Sequence, residues 1–339
     1  MACYFLSDNT ASVSPEILAA LTAANTGPAK AYGEDAWTSR LNAVLGAFFE
    51  HEVAAFPVAT GTAANALSLA TLVPPYGSIY AHEEAHILRD ECGAPEFYTG
   101  GARIVAVAGP DGKLIPEALE AALDRWTTSL HNYQPSAIAL TQASELGTVY
   151  RPAEIAALSA LAHARKLHVQ MDGARFANAL VSLDCAPAEI TWRAGVDVLS
   201  FGATKNGAMA AEAVVFFDPQ LARDFELRRK RGGHLLSKSR YVSAQLLAYV
   251  ETGLWQRNAR HANRCAARLG AAGATYLMHP VQANEVFLRL GDARKQDLRA
   301  AGFHFYDWGA ERSGEARLVT SWNQDERDVE ALCDALAAL

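Results

Sequence analysis

The chain has 339 residues, half of them apolar and a fifth charged, with five cysteines and a formal net charge of -7. That is the composition of a globular protein with substantial cores and enough length for roughly two domains. The acidic balance excludes the general attraction to phosphate backbones and anionic membranes that concentrated Lys and Arg provide, so nucleic acid and membrane are not expected partners and a small molecule is.

The opening "MACYFLSDNT" reaches Asp8 before any secretory apolar core develops, and no uninterrupted apolar run approaches the roughly 20 residues that span a bilayer. A helix follows at "SPEILAALTAA", with Ser14 as cap and Pro15 in the first turn. "VATGTAANALSLATL" reads as a strand end, a turn at Gly61 and a helix. Strand candidates "SIYAH" and "ARIVAVAG" precede a helix at "PEALEAALDRW", Pro116 to Trp126. Then come strand "SAIALTQ", helix "PAEIAALSALAHARK", and strands "LHVQMDG", "VDVLSFGA" and "AEAVVFF". The basic stretch Glu226 to His234 reads equally as a solvated helix end and as an anion-binding face. One long helix is expected from Ser239 to Gly273, followed by strands "NEVFLRL", "FHFYDW" and "EARLVTSW" and helices "ARKQDLRAAG" and "DERDVEALCDALAAL".

This alternation predicts an α/β protein with parallel strands joined by helical crossovers. The expected organisation is an N-terminal arm and helix over 1–25, a large domain over 26–245 and a small C-terminal domain over 246–339. The cysteines Cys3, Cys92, Cys185, Cys265 and Cys333 are scattered without a close pair, which predicts a reducing, cytoplasmic setting and no zinc site.

Lysines are among the residues least often buried, yet Lys205 lies between two apolar runs in "SFGATKNGAMAAEAVVFF". Asn206 and Gly207 supply turn chemistry that would let it face water. Upstream, Asp172 closes an apolar strand at the end where open α/β sheets bind ligands; alone it reads equally as a helix cap or an ion pair with Arg175. The stretch between Asp172 and Lys205 has room for one helix and one strand, which brings both to one sheet edge. "ATGTAAN" adds a helix N-terminus with the N–H groups of Thr62, Ala63 and Ala64 and the Thr62 hydroxyl, a cradle for phosphate. A phosphate cradle, a carboxylate for a pyridine nitrogen and a lysine for a Schiff base are the three handles that pyridoxal phosphate requires.

Here the chain resembles the fold type I pyridoxal phosphate enzymes and, within them, the L-threonine aldolases of the low-specificity or phenylserine-aldolase-like branch. The resemblance spans nearly the whole chain through "LSDNTASVSPEI", "AYGEDAWTSRL", "ATGTAAN", "EEAHILRDECGAPEF", "MDGARFANAL", "FGATKNGA" and "ARLVTSW", all in the family's order. It implies an aspartate-aminotransferase-like fold, with a mostly parallel seven-stranded sheet between helices in the large domain and a smaller C-terminal α/β domain. It implies that Lys205 is the Schiff-base lysine, that Asp172 contacts the pyridine nitrogen, and that Gly61, Thr62 and Ala63 hold the phosphate. His86 resembles the imidazole stacked on the ring, with His82 its nearest rival. Arg175 and Arg317 resemble the arginines near the cofactor oxygen and the substrate carboxylate, where a guanidinium fork suits bidentate binding; Ser7 matches a serine at the same carboxylate. Tyr32 and Lys230 match residues contributed by a neighbouring subunit, which implies a homotetramer of catalytic dimers. No metal is implied.

One stretch departs from the pattern. The family commonly has Glu-Asn-Thr-His-Asn where this chain has "TQASELG", leaving Gln142, Ser144 or Glu145 to line the pocket in place of a histidine; Glu145 reads equally as a solvated turn residue.

The implied reaction is reversible retro-aldol cleavage of L-β-hydroxy-α-amino acids (threonine, allo-threonine, phenylserine) to glycine and an aldehyde. His86, or a water it orients, would remove the β-hydroxyl proton. β-Elimination, racemisation or transamination would use the same Lys205, Asp172 and cradle, so the carbonyl product separates them. A non-catalytic sensor is the alternative of another class, and the absence of a DNA-binding pattern argues against it.

Overall fold

Along the central strands, alternate side chains feed two separate apolar cores on opposite faces of one sheet. Ile79 and Ala81 join one core and Tyr80 the other; Ala137 and Ala139 join the first, Ile138 and Leu140 the second. Such strands are apolar on both sides because helices cover both faces. The computed structural model describes residues 2–125 and 129–339. Its main sheet has seven strands in the order Ala54–Val58, Glu212–Phe216, Val198–Gly202, His168–Gly173, Gln134–Thr141, Gly77–His82, Arg103–Val107. The last five pair in parallel, whereas Glu212–Phe216 runs antiparallel to both of its neighbours. This is the mostly parallel, seven-stranded fold type I sheet that the resemblance implies. Ala54–Val58 contains Pro57, which cannot donate to a ladder and is tolerated at the sheet edge.

Register carries the chemistry to one edge. Asp172 pairs with Thr141 on one side and Ser200 on the other, and Gly202 pairs with Glu212. Lys205 follows in a short turn, Thr204–Asn206, that ends at Gly207 with φ 107°. A side chain there would be strained, and its Cβ would come within 2.7 Å of Asn258 Nδ2. Asn206 fixes the turn by donating its amide to Tyr249 Oη at 2.7 Å and to the Trp255 carbonyl at 2.9 Å.

A second, antiparallel sheet orders Tyr306–Trp308, Glu315–Val319 and Glu285–Arg289. It packs with the helices Asp292–Ala300 and Glu326–Ala337 around a third core that also takes Cys3 and Phe5 from the N-terminal arm. The arm strand Cys3–Tyr4 pairs in parallel with Phe303–His304.

Three expected elements differ. The single helix from Ser239 to Gly273 is two, Arg240–Glu251 and Leu254–Ala272, because Gly253 adopts φ 67° and redirects the chain. Leu254–Ala272 gives Leu254 and Ala259 to the large core and Cys265, Ala266 and Leu269 to the smaller one. "FHFYDW" is split between two sheets, Phe303–His304 and Tyr306–Trp308. The helix at "PEALEAALDRW" spans Pro116–Asp124, and Trp126 lies outside the described residues. Among the described residues no helix is long and apolar enough to cross a membrane.

Candidate active site

A cavity of about 330 Å³ opens at the sheet edge, walled by Thr60, Gly61, Thr62, His86, Asp172 and Lys205. A second cavity of about 390 Å³ shares Asn9, His86, Glu145 and Lys205 with it and extends to Ser7, Arg175 and Arg317. The structure thus gathers Lys205, Asp172, His86 and the Gly61 turn into one site.

The turn is the start of the helix Gly61–Leu72. Thr60 caps it: its hydroxyl accepts the Ala63 N–H at 3.1 Å and its carbonyl accepts that of Ala64 at 3.1 Å. The N–H groups of Gly61 and Thr62 remain without an internal partner among the described residues. Ala63 corrects the expectation: it is buried, its donor is already satisfied, and it is not on the cavity wall. The backbone donors left at this helix start for an anion are those of Gly61 and Thr62.

Asp172 Oδ1 accepts from the Ala174 N–H at 2.9 Å and Oδ2 from Asn65 Nδ2 at 2.7 Å. The same Asn65 amide donates to Glu91 Oε1 at 2.8 Å, and Gln170 donates to Asn65 Oδ1 at 3.1 Å. His86 Nδ1 lies 2.9 Å from Glu91 Oε1. That contact raises the imidazole's proton affinity against the opposing effect of burial, with Asp172 and Glu145 adding to it. Burial pushes Glu91 upward as well. Its Oε1 already accepts from Asn65, so the arrangement suits a carboxylate receiving two donors.

Arg175 is buried and committed inside the protein. Its Nε and Nη2 donate to Asp8 at 2.7 and 3.1 Å, and Nη1 lies 3.2 Å from Glu285. Burial would lower its pKa; Asp8 and then Glu285 reverse this and raise it. Burial pushes Glu285 up to about 7 in spite of Arg175. Arg317 presents the opposite case: its guanidinium lies 5.5 Å from the Tyr306 ring and 5.4 Å from the Trp308 ring, and its buried Nε has no hydrogen-bond partner among the described residues. Of the two, Arg317 is the one free to receive a carboxylate.

Glu145 borders both cavities, and burial raises its carboxyl although Lys205 and Arg175 oppose this. Gln142 and Ser144 are structural instead. Gln142 donates to the Tyr150 carbonyl and accepts the Tyr150 N–H, and Ser144 shares a hydrogen bond with Thr148. His82 is buried between the Gly109 carbonyl and the Glu84 N–H, outside both cavities. Tyr32 and Lys230 also border neither; Lys230 Nζ sits 4.3 Å from the Tyr32 ring. Sequence reasoning missed Asn65, Glu91 and Glu212. The first two sit inside the quoted motifs, and Glu212 lines the first cavity, where burial pushes it up to about 7.

The donor set suits pyridoxal phosphate: free N–H groups at a helix start for a phosphate, a strand-end carboxylate for a pyridine nitrogen, and an amine across the same cavity. Comparison with known proteins agrees. The profile of the beta-eliminating lyase family matches residues 4–293. The chain is 43% identical over 340 residues to a low specificity L-threonine aldolase of Pseudomonas sp. (strain NCIMB 10558), covering 99% of this chain and 97% of that one. It is 44% identical over 333 residues to the enzyme of the same description from Pseudomonas aeruginosa, covering 97% and 95%. Among solved structures, the threonine aldolase of Leishmania major superposes with a TM-score of 0.93 at 27% identity over 99% of each chain. A serine palmitoyltransferase of Sphingomonas wittichii shares the fold, with a TM-score of 0.74 at 17% identity over 99% of this chain and 86% of that one. The chain belongs to the beta-eliminating lyase family and groups there with the L-threonine aldolases, pyridoxal-phosphate-dependent lyases of fold type I.

Proposed function

We propose that this protein cleaves the Cα–Cβ bond of L-threonine, and of allo-threonine and phenylserine, to glycine and an aldehyde. One observation carries the reading. Lys205, His86 and Glu145 border both cavities, so a reactant beside Lys205 meets the cradle and Asp172 on one side and Ser7 and Arg317 on the other.

Gly61 and Thr62 would hold the phosphate, Asp172 the protonated ring nitrogen, and Lys205 Nζ the aldehyde carbon of pyridoxal phosphate. When bound, that group supplies an electron-withdrawing ring that takes up the pair from the broken Cα–Cβ bond. Arg317 binds the substrate carboxylate, with the Ser7 hydroxyl beside it. Arg175 acts from behind, holding Asp8 and through it the arm that carries Ser7. His86 accepts the β-hydroxyl proton, directly or through a water, as the aldehyde leaves; such assistance contributes about 10²- to 10⁴-fold. Glu145 lines both cavities together with His86 and Lys205 and is an ionisable group available to the reactant there.

Trapping the products tests the reaction. Glycine and acetaldehyde in equal amounts from threonine support it; 2-oxobutyrate and ammonia would make the protein an eliminating enzyme instead. We further read the protein as a cytoplasmic homotetramer of catalytic dimers. The exposed Tyr32 and Lys230, stacked away from both cavities, support this as residues that complete a neighbour's site. Sedimentation tests the number of chains. Mixing Lys205→Ala with Lys230→Ala subunits tests the sharing, since activity returns only where sites are shared.

A further inference from the structure

The polar network behind the cavity is more elaborate than holding a ring requires. Asn65 spends both amide hydrogens on carboxylates, one on Glu91 Oε1 at 2.8 Å and one on Asp172 Oδ2 at 2.7 Å, and Gln170 donates to its oxygen at 3.1 Å. Its orientation is thereby fixed, because a flipped amide would set oxygen against two carboxylates. Glu91 has a fully buried side chain, and its Oε2 has no partner among the described residues. A buried carboxylate with one oxygen unsatisfied draws strongly on whatever donor reaches the other. The donor that reaches Glu91 Oε1 besides Asn65 is His86 Nδ1, at 2.9 Å. His86, Glu91 and Asp172 bring one ligand-type atom each within 4.8 Å, and the Asn65 amide already bridges the two carboxylates of that group.

We infer that Glu91 is a positioning residue for His86: it keeps the hydrogen on Nδ1, fixes the ring plane, and leaves Nε2 as the nitrogen offered to a reactant. The inference rests on the aldolase reading for what Nε2 does, and on geometry alone for which nitrogen carries the hydrogen. The groups facing His86 are Glu91 on its own segment, Asp172 from the strand His168–Gly173, Glu145 from the loop after Gln134–Thr141, and Lys205 across the cavity, with Glu84 and Asp90 on the rim. Three of these acids raise the imidazole's proton affinity, Glu91 most. Because Asn65 joins Glu91 to Asp172, neutralising Asp172 should lower that affinity too, in the same direction as replacing Glu91.

The test compares wild type and Glu91→Gln as full-length protein, loaded and after removal of pyridoxal phosphate. Carbethoxylation by diethyl pyrocarbonate needs the uncharged imidazole, so its rate at His86 against pH, read by mass spectrometry on the cofactor-free protein, gives the titration midpoint. The expected midpoint in wild type lies above that of free imidazole, and in Glu91→Gln it falls by about one pH unit. In the loaded enzyme, kcat for threonine falls about 10- to 100-fold while KM changes little, and the acid limb of the rate profile moves to lower pH with the midpoint. A Glu91→Gln midpoint within about 0.3 unit of wild type overturns the inference, whether or not threonine is cleaved. Should the variant not fold, a wild-type midpoint at or below that of free imidazole overturns it equally. A shifted midpoint in a protein that releases no aldehyde would uphold the role of Glu91 and refute the aldolase reading.

Discussion

Arg175 grips Asp8 with two nitrogens, Nε at 2.7 Å and Nη2 at 3.1 Å, and so ties the N-terminal arm to the end of the strand that carries Asp172. Asn284 adds a third donor to Asp8 at 3.0 Å. The arm's Ser7, next to Asp8, lines the second cavity together with Arg175.

Asp8→Asn is therefore expected to destabilise the protein by on the order of 3 kcal/mol, since it leaves a buried guanidinium short of charge. Urea unfolding measures this. Burial alone would raise the Asp8 carboxyl; Arg175 and Lys205 outweigh it, and the folded group titrates below its ordinary 3.8. Its contribution is present above the unfolded carboxyl's pKa and is lost as pH falls through the lower folded value. The variant should lose that acid dependence.

The two arginines should separate in kinetics. Arg317→Ala removes a guanidinium from the wall of the second cavity and should raise KM for threonine about 10- to 100-fold, the range of a charge-assisted hydrogen bond, with little change in melting temperature. Arg175→Ala should show mainly as lost stability, because its nitrogens are engaged by Asp8 and Glu285. Equal KM effects from both would contradict the assignment.

Glu212 gives a pH dependence of the opposite sign. Burial pushes its folded pKa up to about 7 from an ordinary 4.5. The folded state binds this proton more tightly than the unfolded one, so the contribution is fully present below about 4.5 and is lost as pH rises to about 7. In the cofactor-free protein, Glu212→Gln should leave the melting temperature unchanged near the lower pH and raise it above the upper one by roughly 5 °C. A uniform change at all pH values would contradict this.

Much of the site was legible in the sequence because parallel strands covered on both faces read as apolar runs, and a polar residue at such a run's C-terminal end, as Asp172 is, stands out. Lys205 followed from the same logic, one crossover later. What stayed hidden depends on pairings far apart in the chain. Asn65 meets Glu91 across 26 positions and Asp172 across 107, and nothing local in either residue announces the bond. The loss of Ala63 from the cradle is a different failure: Thr60 consumes the donor, and only the geometry of the cap decides which N–H groups remain. The break at Gly253 interrupts an otherwise continuous helical pattern, and a single glycine is tolerated in a helix often enough that the sequence alone does not reveal the turn.

We propose that Lys205, at the sheet edge beside Asp172 and the Gly61 turn, performs the covalent work of an aldolase. The most direct test is the visible absorption of the purified protein with pyridoxal phosphate, followed by threonine turnover, for wild type and Lys205→Ala. A visible band and acetaldehyde formation are expected in wild type, and the loss of both in the variant. A Lys205→Ala protein that keeps the band and continues to release acetaldehyde would contradict it.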